Sequence, residues 1–260
     1  MPARESEALV LRTYPYREAD LIVSFFTRDR GKLRGIARGV RRPKSNYGAS
    51  LERLAHIRIH YFQKQTLELV RVDRAEPLSP PLVMLTDYPC SLALDYIAEV
   101  AEDMLPEHEP NDAYFRLVAL AVETSFKGIR AHKQNGFSGV PPWMERIITY
   151  FALWSVKLGG WLPPLNVCLE TGVAIGPQDP AWFDHLHDGL LSADAKSADS
   201  YLLTPASRDL ARLMLRKSLA DLESEPWTPA TGSDLRRFLN QRLENHFERR
   251  LRSLRLLNSL

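Results

Sequence analysis

Residues 56–62 read HIRIHYF, with Ile57, Ile59 and Tyr61 alternating against Arg58, His60 and Phe62. A period of two marks a strand with one buried face and one partly polar face. On either side of it lie four more β-rich runs, residues 8–13, 21–27, 32–37 and 67–74. Five short strands so close together predict a small barrel or sandwich, and a closed barrel leaves its outer face free for a ligand. Past the turn-rich segment 77–81 the period changes. Leu92, Tyr96, Val100 and Met104 recur every four residues, and Phe115, Val118, Val122, Phe126 and Ile129 follow at steps of three and four. Both patterns are amphipathic helices. Pro141 and Pro142 precede a third such run that stops at Gly159-Gly160, Thr204-Pro205 opens another helix, and Ser233 opens the last. The fold class read from this is α+β and multidomain: a five-stranded barrel over residues 1–79, then an α-helical domain over 80–260. Residues 160–200 form an irregular insertion in which Pro163, Pro164, Pro177 and Pro180 interrupt regular structure, with a short helix expected near 182–190.

A chain of 260 residues with 45% hydrophobic content can bury a sizeable core. No apolar run is long enough to span a bilayer and no secretion signal opens the sequence, so a soluble protein with no membrane partner is expected. Cys90 and Cys168 are the only cysteines, too few for a disulfide framework, which fits a reducing cytoplasm. The net charge of +2 conceals a strong asymmetry. Residues 1–75 carry 16 Lys/Arg against 8 Asp/Glu, residues 76–233 carry 11 against 21, and residues 234–260 carry 7 against 3. A basic module joined to an acidic body points to a polyanion partner, nucleic acid or an acidic membrane face.

The densest chemistry is at residues 28–44, RDRGKLRGIARGVRRPK, where eight of seventeen residues are Lys or Arg and only Asp29 is acidic. Gly31, Gly35 and Gly39 allow close backbone approach, and Arg41, Arg42 and Lys44 surround Pro43 in a loop expected to be exposed. Such a loop can lay several cations along a phosphate chain; the alternative is a set of ordinary solvated charges. Tyr47, Tyr14 and Tyr16 offer stacking surfaces for unpaired bases, and each fits a wall of the barrel core equally well. Catalytic signatures are missing: there is no GxxxxGK[ST] loop, no HExxH and no GxSxG. Glu99, Glu102 and Asp103 read as a solvated helix face and not a metal-dependent nuclease site. Neither an enzymatic activity nor a cofactor is expected.

Residues 7–52, EALVLRTYPYREADLIVSFFTRDRGKLRGIARGVRRPKSNYGASLE, resemble the N-terminal signature of the bacterial RecO family. The likeness continues through FRLVALAVETS, YFALWSVKLGGWLPPLNVC and LRRFLNQRLENHFERRLRSLRLL, and is weak between about residues 172 and 201. The resemblance implies an OB-fold followed by a helical domain, in a mediator of DNA repair and homologous recombination. It further implies binding of single- and double-stranded DNA, annealing of complementary strands, and work with RecR to load RecA onto DNA coated by single-stranded-DNA-binding protein, in the cytoplasm at the nucleoid. The matched basic positions Arg34, Arg38, Arg41, Arg42 and Lys44 are the expected DNA contacts, with Tyr47 beside them. Arg236 and Arg237 on the last helix join them, although a solvated face opposite Leu235, Leu239, Leu243 and Phe247 explains those two equally well, and Arg242 is the next candidate on that helix. The resemblance also implies that the C-terminal tail of single-stranded-DNA-binding protein docks in a groove of the helical body, not of the barrel, where Arg130, Lys133, Arg212, Arg216 and Lys217 offer counter-charges. Many relatives carry a four-cysteine zinc site beginning CxxCG, whereas here the stretch is Cys168-Leu169-Glu170-Thr171-Gly172. With His185 and His187 poorly spaced to help Cys168, no metal is expected. An RNA-binding OB-fold protein of the translation machinery is the alternative reading, separable by comparing matched RNA and DNA oligonucleotides.

Overall fold

The computed structural model describes residues 3–42, 45, 47–63, 68–80, 87–132 and 139–260. Five strands close into a barrel: β1 (Ala3–Pro15), β2 (Leu21–Thr27), β3 (Gly31–Ala37), β4 (His56–Phe62) and β5 (Leu69–Pro77), in the order β1-β2-β3-β5-β4. All neighbours are antiparallel except β3 and β5, which run parallel from Arg34 opposite Leu69 to Ala37 opposite Val72. This is the OB-like barrel expected from the sequence. Ile57, Ile59 and Tyr61 point into its core, Arg58 is exposed, and His60 and Phe62 are half-buried. Fully buried side chains such as Val23, Phe25, Ile57 and Ile59 each contribute about 1.5–3 kcal/mol by leaving water. The first strand is longer than its apolar run because it pairs with β4 from Ala3 to Leu9 and with β2 from Ala8 to Pro15, and an irregularity between Val10 and Arg12 accommodates the change.

The chain groups into two compact units, one formed by residues 1–139 with 253–260 and the other by 140–252. The secondary structure thus changes near residue 80, whereas by packing the first two helices go with the barrel. Helix α1 (Tyr88–Met104) starts where the Asp87 side chain accepts from the Cys90 amide, and it buries Leu92, Tyr96 and Val100. Helix α2 (Asp112–Ala131) is capped in the same way by Asn111 and buries Phe115, Val118, Val122 and Ile129. Phe26 of the barrel packs on the Tyr114 and Phe115 rings.

Glu102 is not on a solvated face. Its carboxylate accepts from the Ser24 hydroxyl at 2.6 Å, its carbonyl accepts from the buried Lys32 ammonium at 2.7 Å, and the residue is itself buried. Glu99 accepts from both the amide and the hydroxyl of Ser253, fastening the start of α6 (Arg252–Leu257) to this first unit. Gly31 completes the seam between barrel and helix. It has φ +73°, and a Cβ there would lie inside the backbone of Glu109, while the next carbonyl, that of Lys32, accepts from the His108 amide at 3.0 Å.

In the second unit α3 (Pro142–Leu158) ends at Gly159-Gly160 as its sequence predicts, with Gly160 at φ +78°. Helix α4 (Pro205–Arg216) is capped by Thr204. Helix α5 spans Pro229–Phe247 and so opens a turn before Ser233: Pro229 supplies a ready helical φ, and Gly232 is tolerated because the Trp227 ring occupies the space of a side chain. The helix expected near 182–190 is absent. Ala181–Phe183 is a strand, β6, paired antiparallel with β7 (Tyr201–Leu203), and Phe183 packs edge-on against Phe238 of α5. Beyond it Asp184 accepts from the amides of Leu186 and His187, which makes a turn where the helix was expected.

Two buried arginines organise the insertion. Arg208 of α4 donates to the carbonyls of Leu165 at 3.0 Å and Gly176 at 2.8 Å and to that of Asp179. Arg242 of α5 donates to the Asp188 carboxylate at 2.7 Å and to the Asp184 carbonyl at 3.4 Å. Burial pushes both guanidinium groups below their ordinary pKa. Cys168 is also buried, in a turn closed by the Gly172 amide on the Cys168 carbonyl and the Cys168 amide on the Val173 carbonyl. A second turn, with the Ala195 and Lys196 amides on the Ser192 carbonyl, supplies a further partner for the same thiol. Burial alone raises the Cys168 thiol, but hydrogen bonds from Thr171 and Ser192, side chain and backbone, outweigh it and hold the pKa at about 6. His185 and His187 do not converge on it: no group of three His, Cys, Asp or Glu side chains that could hold a metal ion occurs among the described residues. Among the same residues no helix is long and apolar enough to cross a membrane.

Gly31→Ala forces both a left-handed φ and a clash with backbone, and is expected to cost about 3 kcal/mol, lowering the thermal midpoint by roughly 5–10 °C in calorimetry. The Cys168 thiol titrates lower in the folded than in the unfolded chain, so its contribution is absent below about pH 6, grows as pH rises through the window from about 6 to 9, and is complete above it. Denaturant titrations should therefore show the stability gap between the protein and its Cys168→Ala variant widening across that window, by at most about 1.4 kcal/mol per pH unit. A gap independent of pH would mean that the thiol stays protonated.

Candidate nucleic-acid interface

Many arginines of the barrel unit are held by acids, whereas five exposed ones are not, among the described residues. Arg28 binds Glu7 and Asp112, Arg53 binds Asp95, Arg58 binds Glu5, Arg71 binds Asp73 and Arg74 binds Glu76. The hydrogen bond from Arg28 holds the Asp112 carboxyl below its ordinary pKa, a sign of a committed pair. Arg12, Arg17, Arg38, Arg41 and Arg42 are exposed, and among the described residues none of them forms an ion pair with a carboxylate. Arg17, Arg38, Arg41 and Arg42 lie at one end of the barrel, where Pro15 pairs with Leu21 and Leu21 with Ala37, while Arg12 stands farther along β1, opposite Ser24.

Backbone hydrogen bonds shape this end. The β1–β2 loop is closed by the Tyr16 amide on the Asp20 carbonyl at 3.1 Å. After β3, Gly39 takes φ +70°, and the Arg42 amide reaches the Gly39 carbonyl at 3.1 Å, a tight turn that leaves Arg38, Arg41 and Arg42 in solvent. The two segments are joined: the Asp20 carboxylate accepts from the Gly39 amide at 2.8 Å, and the Ala19 carbonyl accepts from the Arg41 amide at 3.2 Å. On the first loop the Arg12 guanidinium lies 5.3 Å over the Tyr14 ring and that of Arg17 lies 5.3 Å over the Tyr16 ring. Tyr16 is 43% exposed and Tyr14 is half-buried. Unpaired guanidinium groups and accessible rings are the two components of single-strand binding, one meeting phosphate and the other stacking on bases.

The expected contacts divide accordingly. Arg38, Arg41 and Arg42 belong to the cluster, and Lys44 lies outside the described residues. Arg34 is drawn away from it by acids of the first unit, with Nε 3.1 Å from Glu107 and Nη2 3.8 Å from Glu102. Tyr47 is no stacking platform: its ring is a wall of the barrel core, 6% exposed, and its hydroxyl donates to the Val72 carbonyl at 3.1 Å. In the second unit Arg236 is 17% exposed and bridges α5 to α3, donating to Glu145 and to the Thr149 hydroxyl, each at 3.4 Å. Arg242 is wholly buried. Arg237 is exposed, 5.2 Å over the Tyr201 ring, with no carboxylate partner among the described residues. Of the cations expected to meet a partner tail, Arg212 is paired with Asp209 and Lys217 with Glu225, Arg216 is exposed, and Lys133 lies outside the described residues. Arg130 lies 5.5 Å over the Phe126 ring. Sequence reasoning missed Arg12 and Arg17. Their signal was the spacing Arg12-x-Tyr14, which puts both side chains on one face of a strand, and the adjacency of Tyr16 and Arg17 in the loop.

A family profile described as Recombination protein O N terminal matches residues 1–81, and one described as Recombination protein O C terminal matches residues 85–255. Over 257 residues the chain is 41% identical to the DNA repair protein RecO of Koribacter versatilis (strain Ellin345), covering 99% of each chain. It is 31% identical over 260 residues to the DNA repair protein RecO of Bifidobacterium animalis subsp. lactis (strain AD011), covering 99% of this chain and 100% of the relative. A third relative, the DNA repair protein RecO of Anaeromyxobacter sp. (strain K), is 27% identical over 254 residues, covering 97% of this chain and 94% of the relative. With both profiles matched in order and the likeness running nearly end to end, the chain belongs to the RecO family of bacterial DNA repair and recombination proteins.

Proposed function

We propose that the arginine-rich end of the barrel binds the phosphate chain of single- and double-stranded DNA. On this reading the protein anneals complementary strands and, with RecR, helps load RecA onto DNA coated by single-stranded-DNA-binding protein, in the cytoplasm at the nucleoid. RecO-family proteins are non-catalytic DNA-binding mediators, and annealing needs only that phosphate repulsion be screened while bases stay accessible. The observation that carries the reading is the gathering of Arg17, Arg38, Arg41 and Arg42 at one barrel end, with Arg12 over Tyr14 on the adjoining strand, all without carboxylate partners among the described residues. Each such cation that meets a phosphate releases a counterion, whereas an arginine already held by a carboxylate gains little. Arg237 over Tyr201 is a second, smaller basic-aromatic surface for the same ligand.

The partner tail also has a fitting surface in the first unit. An apolar groove of about 310 Å³ is lined by Leu9, Leu54 and His56 of the barrel unit and by Val122, Glu123 and Phe126 of α2. Its size suits a few apolar side chains, and Arg130 beside Phe126 supplies a counter-charge for an acidic, hydrophobic tail.

Replacing Arg38, Arg41 and Arg42 together with alanine is expected to weaken DNA binding with little sequence preference. The slope of log K against log salt should become shallower by about 2 on single strands, at roughly 0.7 per phosphate contact. Stability should change by no more than about 0.5 kcal/mol per site. Fluorescence anisotropy over a salt series checks this, with a matched RNA strand alongside; preference for the RNA would favour a translation-machinery protein instead. Phe126→Ala should weaken binding of the C-terminal tail peptide of single-stranded-DNA-binding protein about tenfold by calorimetry, while leaving DNA affinity unchanged.

A further inference from the structure

Asp20 is a carboxylate in the loop that carries Arg17, bonded to the segment that carries Arg38, Arg41 and Arg42, and among the described residues it forms an ion pair with none of these arginines. Its Oδ1 instead accepts from the Gly39 amide at 2.8 Å, and the adjoining Ala19 carbonyl accepts from the Arg41 amide at 3.2 Å. Two consecutive residues of the β1–β2 loop thus hold two alternate residues of the segment after β3. The hold is local. The segment is also shaped by its own turn, with the Arg42 amide on the Gly39 carbonyl and the Ser45 amide on the Arg42 carbonyl, and is tied to the barrel by Val40 packed against the core and by the Arg38 backbone bonded to the Tyr47 hydroxyl. Gly39 at φ +70° has no side chain to anchor it, and Arg38, Arg41 and Arg42 are exposed. Between the described residues of the two loops, the Asp20–Gly39 bond is the direct side-chain link, and with the Arg41–Ala19 bond it sets the spacing between the cations of the first loop, Arg17 with Tyr16, and those of the second.

We infer that Asp20 is a positioning residue for DNA binding: it clamps the two basic loops in register, although its own negative charge opposes the phosphate chain. The inference rests on the proposed DNA interface and gives it an internal test, because the two effects of the carboxylate have opposite signs. By charge alone, any replacement that removes the carboxylate strengthens binding. If the clamp dominates, removing the acceptor weakens binding, because the arginines must then be ordered when DNA arrives.

The experiment compares Asp20→Ala and Asp20→Asn in the full chain, by anisotropy with a labelled single-stranded oligonucleotide across a salt series. Asparagine keeps an acceptor for the Gly39 amide and loses the charge, so Asp20→Asn should bind as tightly as the parent or more tightly. Asp20→Ala should bind about tenfold more weakly, the factor that corresponds to about 1.4 kcal/mol. Amide exchange at Gly39 and Arg41 should quicken in Asp20→Ala and not in Asp20→Asn, a readout that a general loss of stability would spread over the whole barrel. Should Asp20→Ala fail to fold, Asp20→Glu replaces it, retaining the charge with the acceptor displaced, and should bind more weakly than Asp20→Asn by more than salt can abolish. If Asp20→Ala binds as tightly as the parent while the triple arginine variant is weakened, the clamp is refuted and the interface stands. If the triple arginine variant binds normally, the interface itself is refuted and the clamp with it.

Discussion

A first strand of thirteen residues pairs with β4 along one half and with β2 along the other, and this double pairing closes the sheet. Much follows from that closure. With β1 occupied on both edges, β3 is left to meet β5 in parallel, and a parallel partner cannot be reached by a tight hairpin. The chain must leave the end of β3 and run through β4 before returning. The segment that departs carries Gly39, Arg41 and Arg42, so the arginine cluster is placed by the topology of the barrel as well as by its own turn. Closure also seals the interior, and this explains why a tyrosine from the β3–β4 connection ends up as core.

The parts of this architecture that the sequence announces are those governed by nearest neighbours. Alternation in residues 56–62, the four-residue steps from Leu92 to Met104, and the proline and glycine punctuation around α3 all describe what a segment does by itself, and the structure agrees with them. What stayed hidden depends on distant partners. Nothing near Lys32 reveals that the Glu102 carbonyl will bury it, and nothing near Arg34 reveals that Glu107 will hold it, whereas Arg38, four residues after Arg34, goes without a carboxylate among the described residues. Tyr47 could have been wall or platform, and only the single 3-10 turn at Gly48–Leu51 and the Val72 carbonyl decide for the wall. Arg236 lies beside Arg237 in sequence, yet a helical rotation turns one toward Glu145 and leaves the other in water.

The insertion shows a comparable division between pattern and partner. Its prolines predict irregularity correctly, but irregular backbone has carbonyls that need donors. Arg208 supplies several from one side chain, a role with no local signature because its acceptors lie 29 to 43 residues upstream. Arg242 holds the other half of the insertion through the Asp188 carboxylate and the Asp184 carbonyl. In this segment, cations reaching out of helices add to the ordering that the buried Ile175, Phe183, Leu190 and Leu191 supply. A guanidinium buried this deeply tolerates no loss of its acceptors, so backbone and arginine fix each other.

The contact between Ser253 and Glu99 bears on the order in which the protein is built. Residues 140–252 form one compact unit, and the other unit is made from the chain that precedes and follows it in sequence, 1–139 and 253–260. A polypeptide emerges from the ribosome N-terminal part first, at about 5–20 residues per second, and each domain ordinarily folds once all of it has emerged. Here the barrel and its first two helices come out early, but the carboxylate of Glu99 waits for a serine 154 residues later. The unit that is begun first is therefore finished last, after the whole of the other has been synthesised.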